Sequence, residues 1–180
     1  MFWIVISAFI ALIVIVNIFS SKKKKKQKNS FNMDERLPNA QIFNESIETP
    51  VAISENGNIG IMDPKTSSIS TIHIKDINGF EIIIDDKKTS NVTAAAMGTL
   101  LFGGIGGIIG AGMKKEKITK IDLLLKTNDP NNPIIGIPLS KIEIKKKSFI
   151  YTNLDSEIQK LLTALNTIEK KFKEQDNPAN

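Results

Sequence analysis

The sequence predicts an N-terminal transmembrane helix followed by one α+β domain, an antiparallel sheet or small barrel with a helical glycine-rich insert and a C-terminal amphipathic helix. Three observations lead there. "MFWIVISAFIALIVIVNIFSS" is interrupted only by Ser7 and Asn17 before "KKKKKQK". Short apolar runs separated by turn residues fill the stretch from Pro50 onward, and apolar residues recur at helical spacing from Leu154 to Phe172. The chain has 180 residues, 41% of them hydrophobic, which suits one ordinary domain with appendages.

At the N-terminus, about 20 residues at ~1.5 Å rise span roughly 30 Å, the hydrocarbon thickness of a bilayer. A cleaved signal peptide carries its basic cluster before the apolar run and ends in a small-x-small site. Here the lysines follow, and "NIFSS" is a poor cleavage site, so residues 1–21 are expected to form an uncleaved anchor. Cationic flanks stay in the cytoplasm, which predicts a single-pass protein of the cell membrane with its N-terminus outside and its domain inside.

Lys22, Lys23, Lys24, Lys25, Lys26 and Lys28 form the candidate membrane-proximal basic site. They account for the net charge of +5, since 18 basic residues face 19 acidic ones elsewhere. A near-neutral remainder gives nucleic-acid binding little support. The same lysines lie within a Debye length of an anionic inner leaflet, where each contributes on the order of 1 kcal/mol. The plainer reading is a topology signal. Residues 22–48 read as a basic juxtamembrane segment and linker, with a short strand near Gln41–Phe43.

Residues 49–174 read as the folded domain. "VAIS" and "IGIM" flank "ENGN", where Asn56-Gly57 signals a type I′ hairpin, and "DPKT" turns the chain again. "ISTIHIKD" and "FEIIID" follow, with Asn78-Gly79 between them as a second turn candidate. In "KITKIDLLLKT", Ile121, Leu123 and Leu125 fall on one face and Lys120, Asp122 and Lys126 on the other, as in a half-buried strand. "NDPNNP" is a turn cluster, and Pro138 in "IIGIPLSKIEIK" argues for an edge or strand end. From 153 to 174 the helical stripe of Leu154, Ile158, Leu161, Leu162, Leu165, Ile168 and Phe172 predicts a core-packing helix, capped by Thr152 or Asn153. Residues 175–180 read as a disordered tail.

The uncharged stretch "NVTAAAMGTLLFGGIGGIIGAGM" (residues 91–113) interrupts the strands. It lacks the G-x-x-x-x-G-K-[ST] spacing of a phosphate loop. Ala95, Thr99, Gly103, Gly107 and Ala111 recur every four residues, and Gly110 pairs with Gly106, which makes a candidate helix-packing face. Glycine costs ~1 kcal/mol per helical position relative to alanine, so such a helix needs close packing or lipid around it. Spanning the bilayer would carry Lys114, Lys115 and Lys117 outside and split the flanking strands. A segment that packs on the domain, dips into the near leaflet or associates with another copy is the expectation.

"LLFGGIGGIIGAG", a strand, "LKTNDPNNPIIGIPL" and the terminal helix together resemble a family of proteins from Gram-positive bacteria and their phages. In that family a glycine-zipper insert interrupts a domain similar to the bacterial pleckstrin-homology-like fold. The likeness covers roughly residues 50–170. It implies that fold and a binding or scaffold role, with no established activity. Relatives often carry an arginine near the start of the insert, and "NVTAAAMG" has none.

No catalytic residue is assigned. His73 is the only histidine, expected on the solvated strand face, and there is no cysteine, so the common transition-metal cages are out of reach. Asp85-Asp86 reads as a turn, and no G-x-S-x-G surrounds a serine. Neither metal nor cofactor is expected. The predicted function is a membrane-anchored, cytoplasm-facing binding or scaffold module, integral to the membrane and contacting its anionic inner leaflet. A protein partner or self-association through the glycine segment is the accompanying expectation. The competing reading is a membrane-active oligomer, a pore or phage exclusion factor, with residues 92–113 as a second transmembrane segment.

Overall fold

Period-two alternation sets the sheets, and it is clearest at Ile121–Thr127, where every second residue is buried and the residues between are partly exposed. A computed structural model of the chain describes residues 20–92, 117–145 and 148–176. Helix α1 covers residues 20–32. Strands β1 (Gln41–Phe43), β2 (Val51–Ile53), β3 (Asn58–Met62) and β4 (Ile69–His73) form one antiparallel sheet in that order. A 3₁₀ turn at Ile74–Asp76 leads into the second sheet, ordered β6-β5-β8-β9, from β5 (Ile77–Ile84), β6 (Lys87–Val92), β8 (Ile121–Thr127) and β9 (Ile134–Ser140). β7 (Lys117–Ile118) and β10 (Ile144–Lys145) make a small ribbon, and helix α2 (Phe149–Asp176) ends the domain.

One core joins the inner faces of both sheets to α2. Ile59, Ile82, Ile84, Leu123, Leu125 and Ile137 from the strands meet Ile158, Leu161 and Leu165 from the helix, and all of these are buried. Each such side chain contributes roughly 1.5–3 kcal/mol by leaving water. The helical stripe read from the sequence is therefore core, with Phe172 at its half-buried margin. α2 starts earlier than its expected residue 153, because Ser148 caps it: the Tyr151 N–H donates to Ser148 Oγ at 3.2 Å.

Two turns differ from expectation. Gly57 has φ +87°, but Asn56 is not left-handed; the Gly57 N–H donates to Ser54 O at 3.0 Å, a type I turn closed by a glycine. Asn78-Gly79 is no turn at all, since both residues lie inside β5, where the pairing with β8 shifts register. The corner between β4 and β5 is made by Ile74–Asp76 instead, while Asp85-Asp86, read as a turn from the sequence, is the left-handed pair of the β5–β6 turn.

A second, smaller cluster covers the outer face of the first sheet. Val51 and Ile53 point into the main core, so Ala52 points away from it, and so do Gly60 and Met62 of β3. Phe31 of α1 and Leu37 of the following loop are buried against Ala52 and Met62. Gly60 makes this approach possible: a Cβ there would stand 2.5 Å from Leu37 Cδ1 and 3.2 Å from Phe31 Cε1.

The transmembrane part of the expected architecture is corrected. Among the described residues no helix is long and apolar enough to cross a membrane. The N-terminal helix that is described, α1, carries six lysines and seats Phe31 on a sheet. The single-pass assignment, the cell-membrane localisation and the topology with the N-terminus outside fall with it. Residues 1–19, on which most of the anchor reading falls, lie outside the described residues. Asn91 and Val92, expected to open the glycine insert, belong to β6, where they pair with Glu81 and Phe80. The rest of the insert, including Ala95, Thr99, Gly103, Gly107, Gly110 and Ala111, lies outside the described residues.

Candidate functional site

α1 has one face on the domain and the rest in solvent. Gln27 and Phe31, four residues apart on one face, are buried, while Lys22, Lys23, Lys24, Lys25, Lys26 and Lys28 are exposed. Residues 20–32 hold no acidic residue, and none of the six lysines forms an ion pair among the described residues. Six positive charges on about two turns of helix make a local positive potential.

The helix is fastened at both ends of its contact. Lys24 Nζ donates to Glu45 O at 2.5 Å, and Asn44 Nδ2 donates to Lys24 O at 3.1 Å. Past the helix, Arg36 grips Asp34 through Nε at 2.8 Å and Nη2 at 2.6 Å, and reaches Thr71 Oγ1 at 3.3 Å and Ile69 O at 3.2 Å. The Arg36 hydrogen bonds hold the Asp34 carboxyl below the usual carboxylate range against the opposing effect of burial.

The loop that receives Lys24 is clamped from its other side by α2. Glu157, buried to 8% exposure, accepts the backbone N–H groups of Glu45 at 2.7 Å, of Ser46, and of Ile47 at 3.2 Å. Three consecutive amides converging on one carboxylate form an anion nest filled by the protein's own side chain. Sequence reasoning missed this role, since Glu157 lies 110 residues from Ile47 and reads only as an acid near a helix start.

The remaining polar clusters are structural. His73 Nδ1 accepts the Lys75 N–H at 3.1 Å, Nε2 lies 3.1 Å from Asn56 O, and the ring stands edge-on to Phe172 with centroids 5.2 Å apart. It is half-buried, not on a freely solvated face. Glu81 in β5 accepts Lys126 Nζ at 2.5 Å. Asp85 Oδ1 accepts the Thr119 N–H and hydroxyl, both at 2.8 Å, and the Lys120 N–H at 3.1 Å, which ties the β5–β6 turn to the start of β8. Lys120 bridges Asp122 and Asp86, and these hydrogen bonds, Asp122's first, raise its pKa. Among the described residues no group of three or more His, Asp or Glu is placed to hold a metal ion.

A family model described as "Glycine zipper containing PH domain" matches residues 24–141. The chain belongs to that family. No curated protein and no solved structure matches it. The matched part of this PH domain begins inside α1 and runs through both sheets, so residues 24–32 of the basic helix and the Phe31–Leu37 cluster fall within the family unit. The PH-like fold is a binding or scaffold fold, generally without catalysis, and often binds lipids or proteins.

Proposed function

We propose that this PH domain is a non-enzymatic binding module that docks peripherally on anionic lipid headgroups through α1. The observation that carries the reading is the run of six exposed lysines, without an ion pair among the described residues, on a helix pinned to the domain by buried Phe31. A pinned helix presents its charges already ordered, so binding costs less entropy than ordering a loose basic tail. The glycine row is the scaffold half of the proposal, a close-packing element supported by its period-four spacing.

Vesicle flotation tests the lipid reading. The full chain should bind phosphatidylcholine vesicles containing phosphatidylserine more tightly than pure phosphatidylcholine, and the difference should shrink with added salt. Changing Lys22, Lys23, Lys25, Lys26 and Lys28 to Gln leaves the Lys24 contact to Glu45 intact. At ~1 kcal/mol per lysine, that variant should lose roughly three to four orders of magnitude of the phosphatidylserine-dependent affinity. Equal phosphatidylserine-dependent binding by the parent and the variant would refute the assignment.

A further inference from the structure

A groove runs between the outer edge of β1 and the flank of α2, with Lys24 of α1 lining one end of it. β1 pairs only with β2 among the described residues. Which of its backbone groups face outward follows from the ladder. The Ser54 N–H donates to Asn58 O and the Met62 N–H to Pro50 O. Alternation along β2 then turns the polar groups of Ala52 toward β3 and those of Val51 and Ile53 toward β1. Phe43 opposite Val51 and Gln41 opposite Ile53 are therefore the hydrogen-bonded pairs. The N–H and C=O of Ile42 point away from the sheet, and no described residue satisfies them.

Along this edge lie two adjacent clefts of about 600 and 660 Å³ that share Gln41, Ser156 and Lys160 in their linings. Ile53, Ala164 and Ile168 line the apolar part of the first. On the helix wall the Thr163 and Thr167 hydroxyls each donate to the carbonyl four residues back at 2.8 Å, so they do not compete for a ligand's backbone. The helix wall extends from Asn153 to Ile168. At ~1.5 Å per residue that is roughly 22 Å, the length of about six or seven residues of extended chain.

We propose that this groove is a peptide site, in which an extended segment from another protein adds to β1 as a fifth strand of the first sheet. Its backbone pairs with Ile42, and a small apolar side chain at alternate positions sits over Ile53, Ala164 and Ile168. A peptide backbone supplies both the carbonyl and the N–H that complement the outward Ile42 pair, which neither a lipid nor a small anion does. A second copy of this chain fits less well, because its own α2 would travel with its β1 into the same slot.

The test uses the full chain and a lysine-flanked peptide of alternating valine and threonine, alongside the same peptide with N-methylated backbone amides. Fluorescence anisotropy should show binding of the unmodified peptide and at least about tenfold weaker binding of the methylated one. Ile42→Pro removes the outward N–H without touching a β1–β2 bond, and Thr163→Trp fills the slot; each should weaken binding about tenfold while melting close to the parent. Should the proline variant unfold, the tryptophan variant and the methylated peptide still decide. Absence of binding, equal binding of both peptides, or indifference to both substitutions overturns the proposal. A concentration-dependent dimer abolished by Ile42→Pro also overturns it, in favour of a second copy.

Discussion

Removing the carboxylate of Glu157 should loosen the loop at 44–47 and with it the end of β1. Oε2 accepts two amides, those of Ser46 and Ile47, whereas Oε1 accepts only that of Glu45. In Glu157→Gln the amide oxygen takes the position serving two donors, and the new NH₂ then faces the Glu45 N–H. One donor loses its acceptor, two keep a neutral one, and the charge assistance is gone. Hydrogen bonds to charged groups contribute ~1.5–3 kcal/mol each, and a stranded buried donor costs ~1–3 kcal/mol, so the loss should be about 2 kcal/mol. Glu45 is exposed and turns to water, which keeps the figure low. Glu157→Ala abandons all three donors beneath buried Ile47 and should cost about 4 kcal/mol. With a urea m-value of about 2 kcal/mol/M, the unfolding midpoint should fall by about 1 M for Gln and about 2 M for Ala. Shifts below about 0.3 M in both variants would show that water replaces the carboxylate. Equal shifts in the two would show that the charge, not the count of acceptors, sets the contribution.

Two further outcomes follow from the packing. Phe31→Ala empties a fully buried site between α1 and the first sheet, for which a loss of about 3 kcal/mol is expected. Because Phe31 belongs to the outer cluster, amide exchange across residues 20–32 should accelerate more than exchange in β5 and β8; uniform acceleration would contradict a separate cluster. Tyr151, the only tyrosine, has its phenol pushed up to about 12, first by burial and second by the nearby Asp155 charge. A raised folded pKa means the unfolded chain releases the proton first, so stability is full below pH ~10 and is lost as pH rises toward about 12. Absorbance at the phenolate band should titrate near 12 in the folded chain, and a midpoint near 10 would show a solvated ring.

Strand β8 was legible because burial alternates along it, β3 and β5 were legible as short apolar runs bounded by turn residues, and the stripe on α2 was legible because one face of the helix is buried. Turn detail was not. Asn-Gly is a strong local signal at 56–57 and again at 78–79, yet the second pair sits in a strand because the corner is made one step earlier by Ile74–Asp76. The packing of α1 was hidden for another reason. Phe31 and Leu37 are isolated apolar residues in a polar stretch, without the repeat that reveals a buried face. Their counterpart signal is Gly60, a glycine at an ordinary strand φ, whose missing side chain makes sense only when Leu37 lies above it.

The loop from Asn44 to Ile47 is where the two proposed surfaces meet. Its amides are held by Glu157 of α2, the Glu45 carbonyl by Lys24 of α1, and Glu48 beyond it donates to Leu139 O of β9. The basic helix thus takes part of its position from the same loop that fixes the end of β1, the strand whose free edge lines the groove. Lys24 is the lysine committed to this contact, so the other five remain available to an external anion without disturbing the loop. The Glu157 nest is already filled from within, and that satisfied geometry argues that its three amides brace the structure and do not receive an outside anion. Among the described residues, the other five lysine side chains of α1 and the outward backbone pair of Ile42 have no protein partner, and these groups carry the two proposed interactions.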